Sequence, residues 1–172
     1  MTFRTTLLAA TVAAGAMTAA FAQTDAAPVT DPAEFAAMAA SSNSFEIESS
    51  NLALDASESE EVQAFAQRMI DDHTAAGEAM MAAAETDGVE VPEGLNEQHQ
   101  EMLDGLQGLT GEEFDQAYLD AQVTAHDEAV ALFEGFSTEG EDSALKAFAA
   151  ETLPTLQEHQ AMVADMAGMS DG

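Results

Sequence analysis

Residues 88–111 read GVEVPEGLNEQHQEMLDGLQGLTG. Gly88 is a stop for the helix before it, and Pro92 and Gly94 open a connection of some twenty residues. Inside it Leu95, His99, Met102, Leu106 and Leu109 recur in steps of three and four, a weak helical stripe interrupted by Gly105 and Gly108. The connection therefore carries a short helix of its own. Thr110-Gly111-Glu112-Glu113 then has the spacing of a capping box and opens the next long helix. The length of this connection decides the topology. An up-down-up-down bundle normally needs only short loops. A crossover that runs the length of a bundle makes the two helices it joins parallel.

Two long helices lie on each side of it. The first opens at Asp31-Pro32-Ala33-Glu34, with an acid at the cap, proline at the first helical position and Glu three residues beyond. Its stripe runs Phe35, Met38, Ser42, Phe45, Glu48, Leu52. The second starts at Ser57-Glu58-Ser59-Glu60, another capping box, and carries Val62, Ala66, Met69, His73, Ala76 and Met80, widened by Phe65 and Ile70. The third carries Leu119, Val123, His126, Val130 and Phe133. The fourth carries Leu145, Phe148, Thr152, Leu156, His159, Val163 and Met166, with Pro154 expected to bend it or to mark a late start. Nothing after the leader alternates with period two. The fold expected is all-α: a ferritin-like four-helix bundle with a long connection between the second and third helices that contains a short helix. The halves read as a worn duplication, since Glu61-Val62-Gln63-Ala64-Phe65-Ala66 parallels Ala144-Leu145-Lys146-Ala147-Phe148-Ala149; on that alignment Glu48 falls opposite Glu128.

The amino terminus has the form of a secretory leader. Arg4 is its positive charge, Leu7 to Ala19 its uncharged stretch, and Ala20-Phe21-Ala22 its cleavage site. Residues 1–22 are then a signal peptide, 23–30 a flexible tether and 31–168 one helical-bundle domain, periplasmic or secreted. The stretch is too short and too rich in alanine for a membrane span, and no integral insertion of the remaining chain is expected. The sequence has no cysteine, which excludes disulfides, a lipid-bearing cysteine and cysteine-based zinc sites. Past the leader, Arg68 and Lys146 stand against 33 acids, a net charge of −31. Such a surface repels nucleic acid and anionic lipid. The acids are scattered over helix surfaces, without a calcium loop, and read as a solvated coat screened by salt. Nothing in the residues names a protein partner; a homo-oligomer completing a site between chains stays open.

Three blocks carry a resemblance. The first is Phe65-Ala66-Gln67-Arg68-Met69-Ile70-Asp71-Asp72-His73-Thr74. The second is Phe114-Asp115-Gln116-Ala117-Tyr118, leading to Ala125-His126-Asp127-Glu128-Ala129-Val130. The third is Leu145-Lys146-Ala147-Phe148-Ala149, leading to Leu153-Pro154-Thr155-Leu156-Gln157-Glu158-His159. In that order, over roughly Phe35 to Met166, they resemble the bacterial exported family called domain of unknown function 4142, often labelled "predicted outer membrane protein". The resemblance implies a ferritin-like helical fold and export, and no established activity. The outer-membrane label finds no support in a chain without a barrel pattern.

Chemistry, if there is any, belongs to the polar members of the core stripes: Glu48, His73, His126 and His159, one on each long helix. Imidazole and carboxylate together suit iron, zinc, copper or manganese. With ~1.5 Å of rise per residue and the crossover topology, His73 and His126 fall ~21 Å from one end of the bundle, Glu48 ~13 Å and His159 ~10 Å. That gives one cluster or two pairs. A di-iron centre wants Glu-x-x-His on two helices, but Ile70, Val123 and Leu156 stand three residues before the histidines. His99 reads as packing against the bundle. His159, Met162, Met166 and Met169, with Met80 and Met81, could suit Cu(I) or simply fill an alanine-rich core. No nucleophile elbow and no phosphate loop is present, so no enzyme class is indicated. Two readings stand: a non-enzymatic exported bundle, a binding or envelope-stress accessory protein whose polar core row is structural, or a ferritin-like metalloprotein holding iron, zinc or copper.

Overall fold

The structure is a computed structural model that describes residues 28–170. The leader and residues 23–27 of the expected tether lie outside the described residues. Five helices follow one another: α1 Pro32–Ala56, α2 Glu60–Asp87, α3 Glu97–Leu106, α4 Gly111–Glu139 and α5 Ala144–Ser170. No strand occurs among the described residues, and no helix is long and apolar enough to cross a membrane.

Their boundaries follow from local chemistry. The Asp31 carboxylate accepts from the N–H groups of Ala33 and Glu34, both at 2.9 Å, and Pro32 occupies the position where a missing N–H costs nothing. Ser59 rather than Ser57 caps α2, accepting from Val62 N–H, while Ser57 closes α1. Gly88 ends α2 with φ of 68°, the left-handed conformation that glycine adopts without strain. Asn96 caps α3 through His99 N–H. Thr110 makes no side-chain cap, and the turn into α4 rests instead on Gly111 at φ 60°. Pro154 neither starts nor breaks α5, which begins ten residues earlier at Ala144; the proline is exposed, so its missing N–H lies on the solvent side.

The start of α1, the end of α2, the end of α4 and the start of α5 meet in one apolar cluster around Phe35, Met80, Phe133, Phe136, Leu145 and Phe148. Phe35 stacks on Phe136 at 4.0 Å and meets Phe133 edge-on at 5.0 Å. The opposite ends meet around Val62, Phe65, Met69, Phe114, Tyr118 and Val163. Hence α2 and α4 are parallel, α1 packs against α2 and α4, and α5 completes the square. This is the crossover four-helix bundle. The connection crosses the α1–α4 face, where α3 seats Leu103 against Phe45 and Ala125. The end of the expected tether also joins the fold: Val29 packs on the first cluster, and Thr30 accepts from Glu141 N–H at 3.1 Å. Between the two apolar clusters lies a buried polar layer.

Candidate metal centre

The layer is built from Glu46 and Ser49 on α1, His73 on α2, Gln122 and His126 on α4 and His159 on α5, all buried. The three histidine ring centres are 5.6, 5.6 and 5.9 Å apart. One ring nitrogen from each lies within 4.8 Å of the other two. The single level follows from α5 beginning only at Ala144. His159 is then fifteen residues down from the same end from which His126 stands thirteen residues up α4. Of the two arrangements left open, one cluster or two pairs, the histidines take the first; the expected heights differed because α5 was started too early, which set His159 about one to two turns too low.

Each ring is held from outside. His73 Nδ1 meets Asn43 Oδ1 at 3.1 Å, His126 Nδ1 meets its own helix at Gln122 O at 2.9 Å, and His159 Nε2 meets Asp72 Oδ2 at 2.9 Å. Carbonyl and carboxylate oxygens only accept, so these three nitrogens carry the protons. The lone pairs therefore sit on His73 Nε2, His126 Nε2 and His159 Nδ1. All three are buried and have no hydrogen-bond partner. A buried polar atom left unpaired costs about 1–3 kcal/mol. Three of them around one point ask for an electrophile in common.

Burial, reinforced by His126 and His159, pushes His73 down to about 3. Burial also lowers His159, with the Asp72 hydrogen bond pulling the other way. These imidazoles are neutral near pH 7, the state in which they can bind a metal. Burial is the largest single influence on Asp72 and raises it, but the hydrogen bonds and charge interactions with His159 and Arg68 together outweigh it and hold it below its ordinary value. Arg68 in turn bonds Asp72 at 3.2 Å and Glu158 at 3.2 Å. A carboxylate fixing the far nitrogen of a histidine, itself fixed by an arginine, is the arrangement found behind metal-binding histidines.

The spacing fits an ion. A point equidistant from three ring centres 5.6–5.9 Å apart is about 3.3 Å from each. A metal–nitrogen bond of about 2.0–2.1 Å plus about 1.1 Å from nitrogen to ring centre asks for about 3.2 Å. A tetrahedral ion would hold the ring centres about 5.2 Å apart, so the rings stand within about 0.4–0.7 Å of the separation it needs. What remains is to draw them in slightly and turn them, since nitrogens on a tetrahedral ion are only about 3.4 Å apart. A cavity of about 20 Å³ borders His73 beside Ser42, Asn43 and Leu156. That is room for about one water.

The carboxylate expected in this row was Glu48, and the structure does not bring it there. Glu48 is exposed on α1, while Glu46 is 1 % exposed and points inward. Two residues on a helix are about 200° apart, so the choice between them reverses the face. Glu128, the expected counterpart of Glu48, is on the surface and accepts from Gln98. The inward face of α1 is Phe35, Ala39, Ser42, Glu46, Ser49 and Ala53, mostly small residues that a search for large apolar ones passes over. Met38, placed in the stripe by its size, is 43 % exposed. Burial pushes the Glu46 carboxyl up, against the opposing influence of His126, whose Nδ1 is 3.6 Å from Oε1. Asn43 and Asp72 were also missed. Asp72 could have been found as the carboxylate directly before His73 in Asp71-Asp72-His73.

The other candidates lie elsewhere. His99 is buried under α3, bonded to Ser41 Oγ at 2.7 Å and stacked on Phe45, which is the packing role expected of it. Met162 accepts from Arg68 at 3.1 Å, Met80 belongs to the apolar cluster, and the Met169 side chain is outside the described residues.

The family model described as a domain of unknown function (DUF4142) matches residues 16–166. This chain belongs to that family. Among curated proteins nothing matches it. Its fold is shared by a protein from Streptomyces coelicolor described as secreted and assigned to another domain of unknown function, DUF305. There the TM-score is 0.69 at 15 % identity, covering 82 % of this chain and 92 % of that one. CopM in the Cu(II)-bound form is also similar, with a TM-score of 0.66 at 18 % identity over 80 % of this chain and 96 % of that one. At such identities the likeness concerns the fold.

Proposed function

We propose that this member of the DUF4142 family is an exported metal-binding protein that holds one divalent transition ion on His73, His126 and His159. The observation that carries the reading is the set of three buried ring nitrogens without partners, each on a ring whose other nitrogen is fixed by an oxygen. Neutral imidazoles favour copper and zinc over iron, and among divalent ions copper stands highest in the affinity order. The CopM likeness points the same way, since that protein was captured with Cu(II). Export is supported by the leader-like residues 1–22. No reaction is assigned. The three histidines bind and orient the ion, Asp72 and Asn43 hold two of the rings, and the two apolar clusters keep bulk water out.

The test is the metal content of the protein exported by a bacterial host and purified without chelator or affinity tag, beside the His73→Ala/His126→Ala/His159→Ala variant. About one copper or zinc per chain in the wild type and none in the variant is expected. If neither takes up metal after loading with copper, zinc and iron, the metalloprotein reading is lost. The polar layer would then be structural, in an accessory protein that acts by binding partners.

A further inference from the structure

α1 is the one long helix that brings no histidine to the layer; what it brings is Glu46. This is the only carboxylate among the buried residues described. Both of its oxygens are buried without a hydrogen-bond partner. The neighbouring amide of Gln122 is close enough to ease the burial of the carboxyl, but its hydrogen bond, at 3.1 Å, goes to Ser49 Oγ. Oε1 stands 3.6 Å from His126 Nδ1, so the carboxyl group already borders the histidine cluster.

Charge gives that placement a use. Three imidazole ligands bring no negative charge, and a dication between two apolar clusters needs an anion at hand. Asp72 is the other nearby carboxylate, but it is half-exposed and already shared between His159 and Arg68. That leaves Glu46. Structural and catalytic zinc sites differ by whether a fourth protein ligand closes the site, and three histidines with one carboxylate form a full tetrahedral set.

We infer that Glu46 is the fourth protein ligand of the ion held by His73, His126 and His159; the inference rests on the metal-binding reading above. Its approach takes a rotation of the Glu46 side chain, because Oε1 now lies beside the outward nitrogen of His126 and not the inward one. The competing role is positional, with Glu46 accepting from His126 Nδ1–H and never touching the ion.

Electron paramagnetic resonance of Cu(II) and visible absorption of Co(II) separate the two, because both report the atoms bound to the metal. The full mature chain is loaded with one equivalent of each ion, as wild type, Glu46→Gln and Glu46→Asp. Gln keeps the size of the side chain without the charge; Asp keeps the charge but falls one methylene short. Both variants are expected to change the copper hyperfine splitting and the cobalt bands, and to lose at least about 100-fold in affinity. If both variants fold by circular dichroism, bind the ion and give wild-type spectra, Glu46 is not a ligand, even where affinity drops about tenfold as for a positioning residue. If either one folds and shows the altered spectrum, the assignment stands. A wild type that binds neither ion would instead overturn the metal reading itself.

Discussion

Asp72 meets two groups through one oxygen: Oδ2 accepts from His159 Nε2 at 2.9 Å and from Arg68 Nε at 3.2 Å. The arginine keeps the carboxylate ionised, and the carboxylate keeps the proton on the outer nitrogen of His159. Asp72→Asn is expected to weaken both effects. The amide can donate to Nε2, which moves the ring proton to Nδ1, the nitrogen needed by an ion. A fall of about 10–100-fold in Cu(II) affinity is expected with little change in helicity. A competition titration against a chromophoric chelator reads it, and unchanged affinity would remove Asp72 from the site. The metal-free layer also predicts a pH dependence. His73 lies at about 3 in the fold against an ordinary 6.5, so the unfolded chain takes up a proton in that window that the folded chain refuses. Its contribution is complete above the window and is lost on acidification, at up to about 1.4 kcal/mol per pH unit. Glu46 has the opposite sign. Its value is raised above 4.5, so its contribution is present below that value and is lost as pH rises. Just above pH 4.5, where the unfolded chain has released the glutamate proton and still holds the histidine proton, the two oppose each other. Urea unfolding of metal-free Glu46→Gln, at salt high enough to screen the acidic surface, is expected to show a steeper loss there than wild type; parallel curves would mean the two groups do not titrate as placed. Of these residues the histidines were legible in the sequence, because a polar residue on an apolar stripe stands out. Glu46 was not, because its stripe is made of alanine and serine and carries little hydrophobic signal.

At the scale of helices, the start of α1, the end of α2 and the crossover were legible because Asp31, Gly88 and Pro92 act locally, whereas the boxes at Ser57 and Thr110 were not formed as spaced. The start of α5 was not, because part of its cap comes from another helix. Asp87, the last residue of α2, accepts from Ala144 N–H and Leu145 N–H through its two oxygens, both at 2.8 Å. No pattern near residue 144 announces that partner. The bond pair closes the two hairpins against each other at one end of the bundle and puts an anion at the positive end of α5. Asp87→Ala is expected to lower stability by about 1–2 kcal/mol in chemical denaturation. His159 lies fifteen residues further along α5, so metal affinity should not change. A lost metal site with intact stability would show that this end of α5 sets the register of the layer. The register matters because a shift of one helical turn, about 5.4 Å, would carry His159 out of reach of the other two rings.

Over the whole molecule, a polar layer interrupts what would otherwise be one continuous apolar core. The ends are packed with phenylalanine, methionine and leucine; the middle holds imidazoles, a carboxylic acid, an amide and serine. Such an arrangement is unfavourable unless something completes it, and that separates a binding site from a structural layer. In His73→Leu/His126→Leu/His159→Leu the unpaired nitrogens are gone and side chains of similar volume fill the layer. Each removed orphan is worth about 1–3 kcal/mol, against which stand the lost hydrogen bonds to Asn43, Asp72 and the Gln122 carbonyl, the first two on side chains able to turn to solvent. The leucine variant is therefore expected to melt above the metal-free wild type. With ion at about a thousand times Kd, binding adds about 4 kcal/mol to the wild type and nothing to the variant. The melting temperature of the wild type should then rise with the ion while that of the variant stays where it was. Calorimetry with and without Cu(II) measures both. A leucine variant that melts below the metal-free wild type would mean that the imidazoles support the fold by themselves. The layer would then be a structural element, and the three unpaired nitrogens would need bound water to account for them.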